Sequence, residues 1–249
     1  MACAGELSLA MQYLRIYLPK FFNSLRDRGL LTTAREILRV VYRDLSEWHF
    51  DRKWGISTRG VKVHSRENPN SAYFHAEMYE ATTPRMFRKI MHSIRHIRIP
   101  RTFIDMGSGK GRVMFMAAEC GFSHIVGVEL DPYLAKIAEE NVESFQCRQQ
   151  ASRVKIEVVC RDAGTYRFPD EDAVIFLYNP FGEAVMRRVL ENLRGSACTE
   201  KERYIIYLNP VWKSLFCDPN EFAPIVTANV YAIYRVVPLP SVRDARISA

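Results

Sequence analysis

No C-x-x-C pair occurs in the 249 residues, and the six cysteines (Cys3, Cys120, Cys147, Cys160, Cys198, Cys217) form no regular ladder. Neither a metal site nor a disulfide framework is therefore expected, and a reducing, cytoplasmic setting is the default. No apolar run approaches the ~18 residues that a membrane span requires. The opening stretch is apolar, but Glu6 interrupts it and no basic segment precedes it, so a signal peptide is not expected. Internal repeats and low-complexity tracts are also missing. What remains, 48% hydrophobic and 25% charged, is the balance of an ordinary globular chain.

The charge is unevenly placed. Residues 1–100 hold 17 Lys and Arg against 9 Asp and Glu, whereas residues 101–249 hold 18 against 19. The whole excess of +7 sits in the first two-fifths of the chain, an asymmetry that points to a partner surface.

The first hundred residues read mainly as helix. Leu7, Met11, Leu14 and Leu18 keep helical spacing up to Pro19. Thr33 and Glu36 have the spacing of a capping box, ahead of an apolar face at Ile37, Val41, Leu45 and Trp48. Residues 51–82 are irregular. Thr83-Pro84 then supplies an N-cap and a first-turn proline for a helix whose stripe is Phe87, Ile90, Met91, Ile94 and Ile97, closed by Pro100.

From Arg101 the pattern changes to β-branched runs alternating with amphipathic segments, the signature of βαβ units. Strands are expected at 102–106, 124–129, 154–160, 173–178 and 204–208, with helices at 111–120, 132–147 and 182–194. In the second of these helices Asn141 is the one polar residue in an otherwise apolar stripe. Two β-rich segments, 223–229 and 231–237, read as a closing antiparallel pair. The expected architecture is α/β: a three-layer, doubly wound, mostly parallel sheet with a closing antiparallel strand. An N-terminal helical extension over 1–83 precedes a domain over 84–249.

Strand 102–106 runs into Asp105-Met106-Gly107-Ser108-Gly109-Lys110-Gly111-Arg112. Three alternating glycines permit a tight turn and close approach of a ligand to the backbone. A dinucleotide fingerprint would need its third glycine at position 112, where Arg stands, and a phosphate-binding loop needs a different spacing. The pattern instead resembles the first motif of the class I, Rossmann-like S-adenosylmethionine-dependent methyltransferases, over residues 101–208. The layout is similar to uncharacterised bacterial members and, more distantly, to the non-SET histone lysine methyltransferases.

That resemblance implies S-adenosyl-L-methionine as cofactor and S-adenosyl-L-homocysteine as product. It places Asp105, Gly107, Gly109 and Gly111, with neighbours Ser108 and Arg112, around the methionine part. Glu129, followed by Leu130, ends the second strand where a carboxylate can accept hydrogen bonds from ribose hydroxyls, while Asp131-Pro132 starts the next helix. Asp162-Ala163, after the third strand, match the adenine position, where a loop-capping acid is the alternative. Tyr79 and Thr82 are candidates for the cofactor's carboxylate or sulfonium region, and His75 for a substrate base. Asn179-Pro180-Phe181 resembles the [Asn/Asp]-Pro-Pro-[Tyr/Phe] motif of amino-group methyltransferases without its second proline. It implies transfer to nitrogen, with Asn179 close to both cofactor and acceptor. Three functions follow as expectations. The first is an N-methyltransferase acting on a protein, peptide or small molecule. The second is a nucleic-acid base methyltransferase using the basic region, and the third a non-catalytic membrane- or partner-binding protein on the same scaffold.

Overall fold

The computed structural model describes residues 26, 29–59, 82–149, 154–178, 181–196 and 201–238. The expected helix at residues 7–18 lies outside them, as do His75, Tyr79, Asn179 and Pro180. The chain forms two compact units, Met1–His49 and Phe50–Ala249.

In the first unit the described residues other than Arg26 and Gly29 belong to helix α1 (Leu30–Trp54), inside which the boundary falls. Gly29 has φ +79° and Leu30 begins the helix, so Thr33 lies within it rather than capping it. The Thr33 hydroxyl donates back to the Gly29 carbonyl at 3.0 Å. Ile37, Val41, Leu45 and Trp48 lie along α1 at helical spacing and are 41–59% exposed.

The second unit holds a seven-stranded sheet in the order β3-β2-β1-β4-β5-β7-β6. Its strands are β1 (Thr102–Met106), β2 (His124–Glu129), β3 (Lys155–Cys160), β4 (Ala173–Tyr178), β5 (Arg203–Leu208), β6 (Phe222–Thr227) and β7 (Tyr231–Val236). The first five run parallel, and β7 pairs antiparallel with both β5 and β6. Parallel strands buried on both faces read as near-continuous apolar runs, which is why their limits were legible. β6 carries Pro224 and a register irregularity, both tolerated because it is an edge strand.

Helices α2 (Pro84–Ser93), α3 (Arg112–Glu119) and α4 (Pro132–Arg148) cover one face, and α5 (Glu183–Gly195) covers the other. On the first face Phe87, Phe103 and Phe176 meet at centroid distances of 6.0 Å. On the second, Ile104, Ile175 and Leu177 meet Met186, Val189 and Leu193 of α5. The Thr83 side chain caps α2 by accepting from the Met86 N–H at 3.3 Å. That helix ends at Ser93, short of Pro100. The Ser93 hydroxyl takes the Ile90 carbonyl, and the Ile94 N–H turns to Met91, three residues back. Ile94 stays fully buried in the turn that follows.

Arg203, at the amino end of β5, is 1% exposed. Its guanidinium donates to the carbonyls of Leu193, Pro169 and Ser196 at 3.0, 2.8 and 2.9 Å, tying the end of α5 to the loop before β4. Arg203→Met would leave those carbonyls buried without their donor. The expected loss is about 3 kcal/mol, read as a lower urea midpoint with an unchanged denaturant slope.

Candidate active site

β1 stops at Met106, and the chain turns through Gly107, Gly109 and Gly111, at φ +85°, +55° and +88°. Side chains rarely adopt those conformations, so three alternating glycines are what allows this turn. The Gly107 and Ser108 N–H groups donate to the Val128 carbonyl at 2.8 and 3.0 Å, which docks the turn on the end of β2. Beneath it, Gly127 stands opposite Asp105 in the β1–β2 ladder. A Cβ at Gly127 would collide with Met114 Sδ and Ser108 Oγ, so the turn rests directly on the strand.

Glu129 ends β2 and is 7% exposed. One carboxylate oxygen accepts the Gly109 N–H at 2.7 Å, and the other accepts the Asp131 N–H at 2.8 Å. Asp131 in turn caps α4 by accepting from the Tyr133 N–H, ahead of Pro132. The Arg161 N–H donates to the Glu129 carbonyl at 2.8 Å and brings the end of β3 alongside. Asp162 is half-buried, and its Oδ1 accepts the Gly164 N–H at 2.8 Å, capping the short turn Ala163–Thr165. The capping role foreseen as the alternative for Asp162 is thus present. Leu130 is half-buried and Ala163 buried on the same carboxyl edge of the sheet.

Three side-chain oxygens among the described residues are buried without a hydrogen-bond partner: Thr82 Oγ1, Asp105 Oδ2 and Ser108 Oγ. All three belong to residues nominated from sequence. Burial, with the Glu129 charge second, pushes the Asp105 carboxyl up to about 8.

Arg112 turns elsewhere. It is 1% exposed, and its Nε donates to Thr58 Oγ1 at 2.7 Å. The Thr58 hydroxyl donates to Asp51 Oδ1 at 2.5 Å, and the Thr58 N–H to Asp51 Oδ2 at 2.9 Å. Alongside, Asn141 donates to the Lys110 carbonyl at 2.9 Å and accepts the Ser57 N–H at 2.8 Å. Lys110 Nζ donates to the Arg59 carbonyl at 2.6 Å. Residues 57–59 therefore form a strap holding the rear of the glycine turn. Asp51 and Thr58 carried no sequence signal, but the lone polar residue in the apolar stripe of α4 pointed to Asn141.

Phe181 is 8% exposed and packs into the apolar cluster beneath α5, which leaves little of its ring for an acceptor. Its carbonyl accepts the Trp212 indole N–H at 3.2 Å. Asn209, just past β5, has φ +48° and is exposed, a second Asn-Pro step that the motif reading passed over.

A sequence model described as "Histone methylation protein DOT1" matches residues 58–177, from the strap through β4. With the sheet order and the glycine turn, that decides the fold. This is the class I S-adenosylmethionine-dependent methyltransferase fold. The ribosomal protein L11 methyltransferase of Clostridium perfringens is 35% identical over 48 residues. That match spans 19% of this chain and 15% of the relative. Among solved structures, the Escherichia coli protein yhhF has a TM-score of 0.49 at 14% identity, over 64% of this chain and 89% of its own. An RNA methyltransferase from Salinibacter ruber, in complex with S-adenosyl-L-homocysteine, has a TM-score of 0.42 at 18% identity. There the alignment covers 65% of this chain and 96% of the other.

The cradle suits the cofactor of this methyltransferase fold. Its buried, unpartnered oxygens are acceptors for an ammonium and a hydroxyl, and Glu129 is an acceptor for a diol. Asp105 also gives a stability test. Its folded value lies above the unfolded 3.8, so the folded state holds a proton that the unfolded state has lost between about pH 4 and 8. Stability supplied by this group is therefore present at low pH and lost as pH rises through about 8. Asp105→Asn should melt higher than the unsubstituted protein by a margin that widens from pH 5 to pH 8, measured without cofactor.

Proposed function

We propose that the protein transfers a methyl group from S-adenosyl-L-methionine to an amine or amide nitrogen. The observation that carries this reading is the pair of buried, unpartnered oxygens of Asp105 and Ser108 at the glycine turn. Asp105, Gly107, Ser108, Gly109 and Gly111 would hold the methionine part, with Tyr79 and Thr82. Glu129 with Leu130 would hold the ribose, and Asp162 with Ala163 the adenine. Arg112 contributes by positioning the turn, since its guanidinium serves the strap.

The cofactor supplies a methyl on a sulfonium, with its leaving group already in place. The protein then has to orient and exclude rather than activate, which is catalysis by proximity. The nitrogen must be neutral to attack, and the Asn179 carboxamide, on the motif's resemblance, would accept a hydrogen bond from it and direct its lone pair. Among the described residues no three His, Cys, Asp or Glu side chains stand together as a metal site.

A protein, peptide or small-molecule acceptor stands beside a nucleic-acid one, and the charge on α2, taken up below, favours the second. The deciding experiment treats extract from cells lacking the gene with the protein and methyl-labelled cofactor. Label on nitrogen supports the reading, and label on oxygen or carbon overturns the nitrogen assignment. Label in nucleic acid rather than protein or metabolites decides the class.

Asp105 makes cofactor binding pH-dependent. Its carboxyl is largely protonated at neutral pH and must ionise to take an ammonium. Affinity for S-adenosyl-L-homocysteine should rise up to about tenfold per pH unit below pH 8 and level off above it. Calorimetry in two buffers should find close to one proton released at pH 7, and none for Asp105→Asn. Glu129→Gln puts a donor against one of two backbone N–H groups. It should weaken the same ligand by about tenfold to a hundredfold, or 1.4–2.8 kcal/mol.

A further inference from the structure

Between Glu80 and Asp105 the sequence contains no acidic residue, yet it holds Arg85, Arg88, Lys89, Arg95, Arg98 and Arg101. All six are exposed, and among the described residues none is paired with a carboxylate. Ordinary surfaces intersperse the two signs. Arg85, Arg88, Lys89 and His92 follow i, i+3, i+4, i+7 spacing on the solvent side of α2, while Phe87, Ile90 and Met91 face the sheet. His92 shares a 3.0 Å contact with Arg95, which continues the charge into the turn after the helix. Glu119, which like Arg88 lies near Cys120, is already held by Lys53 at 2.5 Å and by the Trp54 indole.

We infer that this face of α2 and the turn after it bind the phosphodiester backbone of a nucleic acid, which the chain grips while the cofactor cradle works at its rim. The strip starts two residues after the cap of α2, and three after Thr82, whose hydroxyl oxygen is buried and unpartnered. From Arg85 to His92 the helix advances about 10 Å, a length over which duplex DNA carries about six phosphate charges. No large hydrophobic side chain among residues 82–101 is exposed, so the face lacks the apolar anchor of a membrane-lying helix. Among the described residues 82–101 no Phe, Tyr or Trp is exposed for a base to stack on, so contact is carried mainly by charge.

Binding is independent of methyl transfer, so its failure and failure of the methyltransferase reading can be told apart. The test is fluorescence anisotropy of the full chain with a duplex DNA and a single-stranded RNA of about 25 units, from about 50 to 200 mM salt. Affinity should fall steeply with salt for at least one probe, and comparing the two separates DNA from RNA as the source. The triple variant Arg85→Gln, Arg88→Gln, Lys89→Gln should lower the logarithmic salt slope by about 2–3. Its affinity for S-adenosyl-L-homocysteine should stay unchanged, which shows that it folds. Arg95→Gln with Arg98→Gln and Arg101→Gln is the second variant, for use if the first does not fold. Absence of binding to both probes overturns the inference. So does an unchanged slope in the folded variant, or binding to anionic vesicles with none to nucleic acid.

Discussion

The two hydrogen bonds accepted by the Glu129 carboxylate hold the site together. One fixes Gly109, and through it the turn after β1; the other fixes Asp131, and through it the start of α4. A charged acceptor between two backbone donors is stronger than a neutral one and strongly directional. The same charge lies beside Asp105, whose own carboxyl it helps keep protonated. The cradle is thus built from two acids in different settings: Glu129 bound by two backbone N–H groups, and Asp105 buried with an unpartnered oxygen and its carboxyl pushed up to about 8. Separated environments for neighbouring acids are what a site needs if one is to hold shape and the other to answer a ligand.

The rear of the turn depends on a second set of groups. Asp51, Thr58 and Arg112 form a buried chain of hydrogen bonds, and Asn141 joins Ser57 to Lys110. Burying an arginine is costly unless its charge is paired, and Asp51 stands 3.9 Å from the Arg112 guanidinium, so Arg112 and the strap specify one another. The family match begins at Thr58, within this strap, rather than at β1. The glycine turn and the segment ahead of it are one structural unit.

The sheet was legible because buried parallel strands and amphipathic helices leave periodic traces. Predicted and observed limits agree within about two residues for every strand, a normal margin for such boundaries. The glycine turn and Glu129 were legible because φ above zero and a strand-end acid leave composition traces. The strap was not, since the bonds that Thr58 donates to Asp51 and accepts from Arg112 have no period, and the second joins residues 54 apart. Capping misled for a similar reason: Thr33 and Glu36 have a box's spacing, but the turn at Gly29 sets the helix start three residues sooner. The stripe at Ile94 and Ile97 remained apolar past the helix end, because turns can bury side chains as well as helices can.

The unit boundary changes the meaning of the charge. Residues 1–49 hold 7 Lys and Arg against 5 Asp and Glu, whereas residues 50–100 hold 10 against 4. The positive excess therefore belongs largely to the second unit, on α2 and the turn after it. Like charges at helical spacing repel, and each such pair costs a few tenths of a kcal/mol. Glu or Gln at Arg88 or Lys89 would fold at least as well, because neither side chain touches the core. Folding therefore does not explain an acid-free run of 24 residues from 81 to 104. The apolar side of α2 serves the sheet, and its basic side is left to serve something outside the chain.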